Sequence, residues 1–403
     1  MSKTFAKTDI RVSKPISKLA NVRVGSKKCA DIAVFYGFKP ISKPSIQKSD
    51  HQKTEEILGK KVARVSDSGV SIEEKVALLR AYEEENMNSW PQPVLTYYEC
   101  DAKKATQNKS DKIHEIHLDI LGTAKSIAEA TLIKATEEIL KSEGYKNFVF
   151  CLNSVGDKES SARFAREFNA HARKFTDAIH APCRESLKAE EFDILVCDDV
   201  KCREFRTAMP ESVSFLSEAS RTHFREVLEF LDKMALPFTI DPTLLVSRKL
   251  VSHTIFEFKS SDGRRLAIGV RYNELSRKLG FRRELGAIGA TIFLEKCDIK
   301  EIQVRDIKPK IYFIQLGYNA KLKSIEVLDM LRKYKLPVTQ SIAKDKMIGQ
   351  LQIAESLKIP FAFIIGQKEA MENSVIVRSL TSHSQETILL SNLPEYLKKI
   401  KLI

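Results

Sequence analysis

The chain has 403 residues, of which 43% are hydrophobic and 30% are charged, and its formal net charge is +13. This length suits two or three domains with sizeable cores. No apolar run approaches the roughly 20 residues that span a bilayer, and no apolar stretch follows the lysine-rich start, so we expect neither a membrane helix nor a secretory signal. We therefore expect a cytoplasmic protein whose seven cysteines are reduced thiols.

The positive charge is concentrated at the two ends of the chain. Residues 1–53 carry twelve Lys and Arg against three Asp, and residues 307–403 carry fifteen against eight acidic residues. A basic surface attracts a polyanion such as a nucleic acid. Lysines that only solubilise a surface give the same composition, so the charge alone leaves both interpretations open.

The first hundred residues predict a basic arm followed by alternating helices and strands. Residues 1–20 are rich in Lys and Ser without a sustained period, which predicts a loose arm. A helical pattern then begins at residue 30 and ends before Gly37. A second helix is predicted over 71–84 and a strand over 94–98.

The next segments continue this α+β pattern. Residues 113–122 alternate as a strand, and Ser126 with Glu129 has the spacing of a capping box that opens a helix to about residue 140. A buried strand is predicted over 148–152 and is followed by a turn and an amphipathic helix. A long helix is predicted over 212–235.

Residues 176–210 have no regular pattern and contain three cysteines, which predicts an insertion. Cys183, Cys197 and Cys202, together with His180, are candidate zinc ligands. Zinc sites usually place close pairs of Cys on both sides, and here only Cys197 and Cys202 are near each other in sequence. We therefore expect buried thiols and no zinc, with a metal site as the alternative.

The stretch 241–296 predicts the core of the first domain. Alternation over 254–258, a Ser-Asp-Gly turn at 261–263, a short helix and a glycine-spaced strand indicate a hairpin, a helix and a third strand. From residue 308 onwards, strands alternate with amphipathic helices. This alternation predicts a small α/β domain with a mostly parallel sheet.

Several segments resemble motifs of the histidyl-tRNA synthetases, a class II family. They are GFKPISKP at 37–44, IHEIHLDILG at 113–122, NSVG at 153–156, TIFE at 254–257, GVRYN at 269–273 and GAIG at 286–289. Residues 344–354 and 359–366 resemble the anticodon-binding domain of the same family. The resemblance implies an α+β class II synthetase catalytic domain, with an antiparallel sheet and helices, over residues 21–306. A smaller α/β anticodon-binding domain then covers residues 307–403.

The resemblance also implies a function and a set of site residues. The function is ATP-dependent attachment of an amino acid, histidine by resemblance, to tRNA through an aminoacyl-adenylate. ATP and Mg²⁺ would be the cofactors, tRNA the partner and a homodimer the assembly, with neither DNA nor a membrane as a partner. The residues implied are Arg248, Lys104 and Glu295 for catalysis, Lys296, Arg271, Asp119 and Glu115 for ATP, and Lys344, Lys346 and Gln350 for tRNA.

The resemblance is incomplete where phosphate would be bound. The family uses arginines in motifs 2 and 3, but residues 99–111 contain no Arg, and Lys296 stands at the motif 3 position. Lysine keeps the charge but lacks the planar fork of arginine. Phe293 stands where the family has a glycine against the nucleotide. The alternative function is therefore a paralogue with impaired catalysis that acts as a tRNA-binding or regulatory module.

Overall fold

The computed structural model describes residues 21–24, 26–58, 70–103, 112–175, 179–188, 193–195, 197–246, 250–295, 300–303 and 308–403. The strands are β1 (Asn21–Val24), β2 (Lys39–Pro40), β3 (Val94–Lys103), β4 (Lys112–Leu121), β5 (Phe148–Gly156), β6 (Thr239–Ile240), β7 (His253–Ser260), β8 (Arg265–Arg271), β9 (Ala287–Leu294), β10 (Lys300–Gln303), β11 (Ile311–Gln315), β12 (Val338–Gln340), β13 (Phe361–Ile365), β14 (Ser374–Ser379) and β15 (Gln385–Leu389). The predicted arm, residues 1–20, and the predicted boundary at 306/307 lie outside the described residues.

The helices alternate with these strands along the chain. They are α1 (Lys27–Phe35), α2 (Lys48–Leu58), α3 (Ile72–Glu84), α4 (Ile127–Ser142), α5 (Lys158–Lys174), α6 (Ala181–Lys188), α7 (Val200–Thr207), α8 (Glu218–Lys233), α9 (Asn273–Lys278), α10 (Tyr318–Lys333), α11 (Met347–Ser356), α12 (Gln367–Glu372) and α13 (Leu393–Lys399). Among the described residues, no helix combines the length and the apolar character that a membrane crossing needs.

The first and larger unit is built on an eight-stranded sheet with the order β2-β3-β4-β9-β8-β7-β5-β6. Its six central strands are antiparallel, and the two edge pairs, β2 with β3 and β5 with β6, are parallel. The hairpin, helix and strand predicted for 241–296 are confirmed as β7, β8, α9 and β9. The antiparallel α+β fold predicted for this part of the chain is therefore confirmed.

The two faces of this sheet carry different cores. Ile116, Leu118 and Ile120 point from β4 into the cluster that α4 and α8 cover. Leu121 lies on the opposite face with Val270 of β8, in the cluster that α3 covers. Because successive residues of a strand point to opposite faces, odd-numbered residues of β4 share the face of α3.

One predicted cap and one predicted helix start differ from the structure, whereas α4 begins after Ser126 as predicted. The capping box at Ser126 is wrong: the Ser126 hydroxyl donates to Glu226 Oε2 at 2.5 Å, and Glu129 is bound to Arg271 instead of to the helix start. The helix predicted from residue 212 begins only after Ser217, because the Ser217 side chain caps α8 by accepting from the backbone N–H of Ser220. In both cases the serine side chain has a partner that the local pattern did not indicate: Glu226 for Ser126 and the N–H of Ser220 for Ser217.

The second unit is a five-stranded sheet with the order β12-β11-β13-β14-β15. Strands β12, β11 and β13 are parallel, as predicted, whereas β14 and β15 add an antiparallel hairpin at one edge. Asn373, which takes a left-handed conformation with φ of 52°, ends α12 and lets the chain turn directly into β14. The sheet is therefore mixed, with helices packed on both faces.

Helix α4 joins the two units. Ile325 and Ile342 of the second unit belong to the same apolar cluster as Ile127 of α4. Around this contact, Lys134 Nζ lies 3.4 Å from Asp329 Oδ2, and Arg332 pairs with Glu138. The second unit is thus packed against the face of the first sheet that α4 covers.

Candidate functional site in the first sheet and the basic C-terminal unit

A cluster of four titratable side chains lies on the α3 face of the sheet. Strand β4 carries Glu115 and His117, β3 carries Cys100, and α3 carries Glu74. His117 Nε2 lies 3.1 Å from Glu115 Oε2, 3.6 Å from Cys100 Sγ and 3.6 Å from Glu74 Oε2. The imidazole also stacks on the ring of Tyr98, with centroids 4.5 Å apart and planes 7° apart. We call these four residues the His117 cluster.

The His117 cluster is held together by charge. Burial alone lowers the pKa of His117, but hydrogen bonds with Cys100 and Glu115 and the charge of Glu74 outweigh it and raise the pKa to about 9. Burial raises the pKa of Glu74, but His117 and the Lys43 ammonium, 2.6 Å away, bring it below its usual value. His117 is therefore an imidazolium at neutral pH, packed between carboxylates.

The ligand atoms of the His117 cluster lie within 4.8 Å of one another, close enough to bind one metal ion. Two cationic side chains of the protein already supply the positive charge that a metal ion would bring to these ligands. His117 is protonated, and Lys43 Nζ lies 3.2 Å from Cys100 Sγ as well as against Glu74. The observed arrangement therefore favours an ionic network over a metal centre.

Beside this cluster, Asp119 is fully buried and bound by two side chains of the protein. Lys75 Nζ lies 2.6 Å from Asp119 Oδ1, and the Tyr272 hydroxyl donates to the same oxygen at 2.7 Å. Gly289 of β9 is opposite Asp119, and a Cβ atom at that position would lie 1.8 Å from Oδ1. The space above Gly289 is thus filled by the side chains of Asp119 and Lys75.

Arg271 lies on the other face of the sheet, where α4 packs. Its Nε donates to Glu129 Oε1 at 2.6 Å, its Nη2 binds Glu129 Oε2, and its Nη1 donates to Thr123 O at 3.0 Å. Burial raises the pKa of Glu129, but the charges of Arg271 and His223 outweigh it and bring the pKa well below its usual range. The guanidinium is thus used to hold α4 against the sheet.

The structure brings some of the predicted residues together and separates others. Glu115 and Asp119 share one face of β4, as predicted. Arg271 lies behind the sheet, and Glu295 follows β9 with its side chain 78% exposed and bound to Arg264. Their roles in catalysis and ATP binding stay predictions. The remaining three residues, Lys104, Arg248 and Lys296, lie outside the described residues and their roles also stay predictions.

Sequence analysis missed the side chains that decide the character of this face. Lys75 and Glu74 lie in the helix predicted over 71–84 and His117 in the strand predicted over 113–122, and neither pattern distinguishes them from other charged positions. The only signal in the sequence is that charged residues stand at positions of α3 and β4 that face the interior. This signal identifies a cluster only when α3 is known to cover β4.

The described residues do not fit ATP and Mg²⁺ on this face. Asp119, the carboxylate nearest the strand centre, is bound to Lys75 and Tyr272. Its neighbour on the same face, His117, occupies the second carboxylate, with Nε2 3.1 Å from Glu115 Oε2. Phe293, opposite Glu115, is partly buried and packs against the apolar cluster under α3. We therefore derive no reaction step through a nucleotide here.

The residues predicted to contact tRNA lie at the start of α11. Lys346 is exposed, and Lys344 is half-buried. Gln350 is fully buried and its Nε2 donates to the backbone oxygens of Lys344 and Lys346, at 3.3 and 3.5 Å, so it holds the loop that carries both lysines. Ile348 beside them is 71% exposed. This edge thus combines two cations with an exposed apolar side chain.

Comparisons with known proteins agree on both parts of the chain. Residues 310–400 match the family model described as anticodon binding domain. A histidine–tRNA ligase of Staphylococcus aureus (strain JH9) is 26% identical over 398 residues, which cover 92% of this chain and 94% of that protein.

Two solved structures match most of the length of this chain. The crystal structure of apo histidyl-tRNA synthetase from Staphylococcus aureus is 22% identical, covers 92% of this chain and 93% of its own, and has a TM-score of 0.49. A crystal structure described as an ATP phosphoribosyltransferase regulatory subunit/histidyl-tRNA synthetase from Bacillus halodurans is 15% identical. It covers 84% of this chain and 92% of its own, with a TM-score of 0.43.

Proposed function

We propose that this chain, which is similar to a histidine–tRNA ligase over nearly its whole length, is a tRNA-binding member of the histidyl-tRNA synthetase family that does not activate an amino acid. One observation carries the second half of the proposal. Lys75 and Tyr272 both bind Oδ1 of the buried Asp119 carboxylate where the resemblance requires an open ATP site, and among the described residues Oδ2 has no hydrogen-bond partner.

The physical argument concerns the cost of opening this network. Adenylate formation places growing negative charge on phosphorus, so an active site needs free cations and carboxylates that are free to hold a metal. Lys75 occupies Asp119 Oδ1, so a metal ion bound at that oxygen would have to displace the Lys75 ammonium. Separating a buried ion pair costs about 3–5 kcal/mol, because one charge is left without a partner. Such a cost would lower substrate affinity by at least two orders of magnitude.

The tRNA half of the proposal rests on the C-terminal unit. The matched family model carries the description anticodon binding domain. Residues 307–403 carry fifteen Lys and Arg against eight acidic residues, which favours a polyanionic partner. Lys344 and Lys346 are proposed to contact phosphates, with Gln350 fixing the loop between them. The exposed Ile348 is available for contact with an unstacked base.

The retained ligase is the second candidate function. It is favoured by the relative named above, which resembles this chain over nearly its whole length and is a histidine–tRNA ligase. In that case Arg248 and Lys104 would bind the reacting phosphate, Lys296 and Arg271 the rest of ATP, and Glu295 with Asp119 or Glu115 the magnesium ion. This candidate requires α3 to move away from β4, so that Lys75 and Asp119 separate. It also requires Arg271 to leave Glu129 on the opposite face of the sheet.

We further propose a cytoplasmic homodimer. The segment 37–44, at the end of α1 and in β2, resembles the dimer-forming motif 1 of class II synthetases. Light scattering coupled to size-exclusion chromatography should give twice the mass of one chain. A mass equal to one chain would remove this part of the proposal without affecting the rest.

Two assays on the full-length protein test the proposed function. The first is histidine-dependent exchange of pyrophosphate into ATP, with the Staphylococcus aureus ligase as positive control. We expect no exchange above the histidine-free background. The second is binding of unfractionated tRNA measured at increasing salt, where we expect a steep loss of affinity.

The four possible results separate the candidates. Exchange that saturates with histidine would establish the ligase and refute the proposal. Binding without exchange supports it. Absence of both activities would overturn the tRNA-binding half and leave the half that denies amino-acid activation. Exchange without tRNA binding would contradict both halves.

A further inference from the structure

A small helical module extends from the first sheet and has a core of its own. Helices α5, α6 and α7 contribute most of it, and the apolar cluster includes Phe164, Phe168 and Phe205. Two cysteines, Cys183 at the start of α6 and Cys202 in α7, are fully buried in this cluster. The module is too small to bury a large core, so it belongs to the size class that commonly relies on a disulfide or a metal for stability.

Four potential metal ligands meet inside this module. Ligand atoms of His180, Cys183 and Cys197 all lie within 4.8 Å of one another, and Cys197 Sγ is 3.9 Å from His180 Nδ1. The thiol of Cys202 interacts with those of both Cys183 and Cys197. His180 and Cys183 come from the start of α6, whereas Cys197 and Cys202 come from the loop before α7 and from α7 itself. We call these four residues the thiol cluster.

We propose that the thiol cluster binds one Zn²⁺ ion, with His180, Cys183 and Cys197 as ligands and Cys202 completing a tetrahedral site. In a tetrahedral zinc site with Zn–S bonds near 2.3 Å, sulfur ligands are about 3.8 Å apart. The ligand atoms of His180, Cys183 and Cys197 lie within 4.8 Å of one another, so one ion can reach all three. The Cys202 thiol contacts the thiols of Cys183 and Cys197 and would turn towards the ion as the fourth ligand. The sequence spacing, His-x2-Cys and Cys-x4-Cys, supplies two ligand pairs that the fold brings together.

The surrounding residues fix the ligands in place. Arg206 Nη1 donates to the backbone oxygens of Leu195 at 2.9 Å and Cys197 at 2.7 Å, which holds the loop that carries Cys197. A hydrogen bond from the backbone N–H of Asp199 lowers the pKa of Cys197. Such outer contacts orient metal ligands and reduce the cost of binding. The loop is thus shaped around the cysteine independently of any ion.

A zinc ion also explains why the thiols of Cys183, Cys197 and Cys202 lie together in the core of this module. A bound zinc ion stabilises thiolates directly, and each cysteine ligand then releases its proton. With four protein ligands the site has no open position, so its role is structural. The proposal is independent of whether the chain binds tRNA or activates an amino acid.

The test uses the full-length protein with Zn²⁺ as the probe. The protein is purified under reducing conditions, stripped with a chelator, reloaded with Zn²⁺, freed of excess ion and analysed by elemental mass spectrometry. We expect one zinc ion per chain. Co²⁺ in place of Zn²⁺ should give the ligand-field bands of a tetrahedral ion together with intense sulfur-to-cobalt charge transfer.

Matched variants assign the ligands. His180 is exposed, so His180→Ala should leave the fold intact and yet weaken Zn²⁺ binding at least tenfold in competition with a chelating dye. Cys197→Ser should do the same and reduce the charge-transfer intensity per cobalt. Cys151→Ser is the control, because Cys151 is a buried free thiol of β5 outside the module. It should leave both stoichiometry and affinity unchanged.

Three outcomes would overturn the proposal. The first is less than one tenth of a zinc ion per chain after reloading. The second is zinc that His180→Ala and Cys197→Ser both retain with unchanged affinity. The third is loss of two titratable thiols in the reduced, zinc-free protein on exposure to air, with a Cys183–Cys197 peptide found by mass spectrometry and no metal uptake before that oxidation. This last result would assign the thiol cluster to a disulfide.

Discussion

Lys75 and Asp119 form an ion pair inside the protein, with Nζ 2.6 Å from Oδ1 and side chains that are 3% and 0% exposed. The pair joins α3 to the centre of the first sheet. A buried ion pair is costly to break because one charge then remains in the interior without compensation. The pair therefore fixes α3 over the face of β4 that a class II synthetase would use for its substrates.

We predict that Lys75→Met destabilises the protein strongly. It leaves the Asp119 carboxylate buried without its cation, which should lower the free energy of unfolding by about 3–5 kcal/mol. The measurement is urea unfolding followed by the fluorescence of Trp90, which packs beside α3 and is the only tryptophan.

Two variants control for this experiment. Lys201→Met removes a lysine of an exposed pair with Glu204, and should change stability by no more than about 1 kcal/mol. Lys75→Met combined with Asp119→Leu removes both charges and should recover most of the loss. A single Lys75→Met variant as stable as Lys201→Met would contradict a closed network.

We predict opposite effects for alanine at two glycines. At Gly289 an added Cβ would approach Asp119 Oδ1 to 1.8 Å and Lys75 Nζ to 2.7 Å, so Gly289→Ala should destabilise by about 1–3 kcal/mol. Gly349 lies within α11 with no atom near the added Cβ, and Gly349→Ala should stabilise by about 0.5–1 kcal/mol. Thermal unfolding measures both. An unchanged melting temperature for Gly289→Ala would mean that the space above β9 is open.

We predict that His117 makes stability fall as pH rises above neutrality. Its pKa is raised from 6.5 to about 9 in the folded protein, so the folded state binds its proton more tightly than the unfolded state. The resulting stabilisation is complete below pH 6.5 and is lost as pH rises through 9. Its size is about 3 kcal/mol, from 1.36 kcal/mol per unit of pKa.

The measurement is the free energy of unfolding of wild type and His117→Gln between pH 6.5 and 9. The difference between the two proteins isolates His117 from the cysteines that also titrate in this range. The fall should be much smaller in His117→Gln and unchanged in His51→Gln, a variant at an exposed histidine of α2. A parallel pH dependence of wild type and His117→Gln would show that His117 is not held as an imidazolium.

We predict that Lys346 contributes one phosphate contact to tRNA binding. Lys346→Ala should weaken binding and reduce the slope of log affinity against log salt by about 1. Lys344→Ala should act in the same direction. Lys53→Ala, at an exposed lysine of α2 in the first unit, should leave the slope unchanged. Equal slopes for all these proteins would place the RNA elsewhere on the molecule.

Much of the fold follows from local sequence signals. Gly37 ends α1 with φ of 93°, and the Ser-Asp-Gly turn joins β7 to β8, because both positions need backbone conformations that few residues adopt. The start of α4 after Ser126 was predicted correctly, but its capping contacts could not be predicted in this way. Glu129 has the spacing of a capping residue, but its carboxylate binds the buried Arg271, 142 positions later in the sequence, instead of the helix start.

The site was less predictable than the fold for a specific reason. Resemblance placed Asp119 and Arg271 in one site, but residue parity along β4, β9 and β8 puts them on opposite faces of the sheet. Whether Asp119 is available to a ligand depends on Lys75, whose position depends on how α3 packs. Likewise, the meeting of His180 with Cys197 depends on the path of the chain between α6 and α7, which no local pattern specifies.

The shared position of α4 has a consequence for any attempt to divide this protein. Fourteen of its sixteen residues are buried, since the first sheet covers one side and the C-terminal unit another. A fragment cut before β11 would expose Ile127 and Ala130 to water and leave Lys134 and Glu138 without their partners Asp329 and Arg332. The amino-terminal fragment would therefore tend to aggregate. An RNA bound to the C-terminal unit would lie on a part of the protein that packs against α4, whose other side packs on the first sheet.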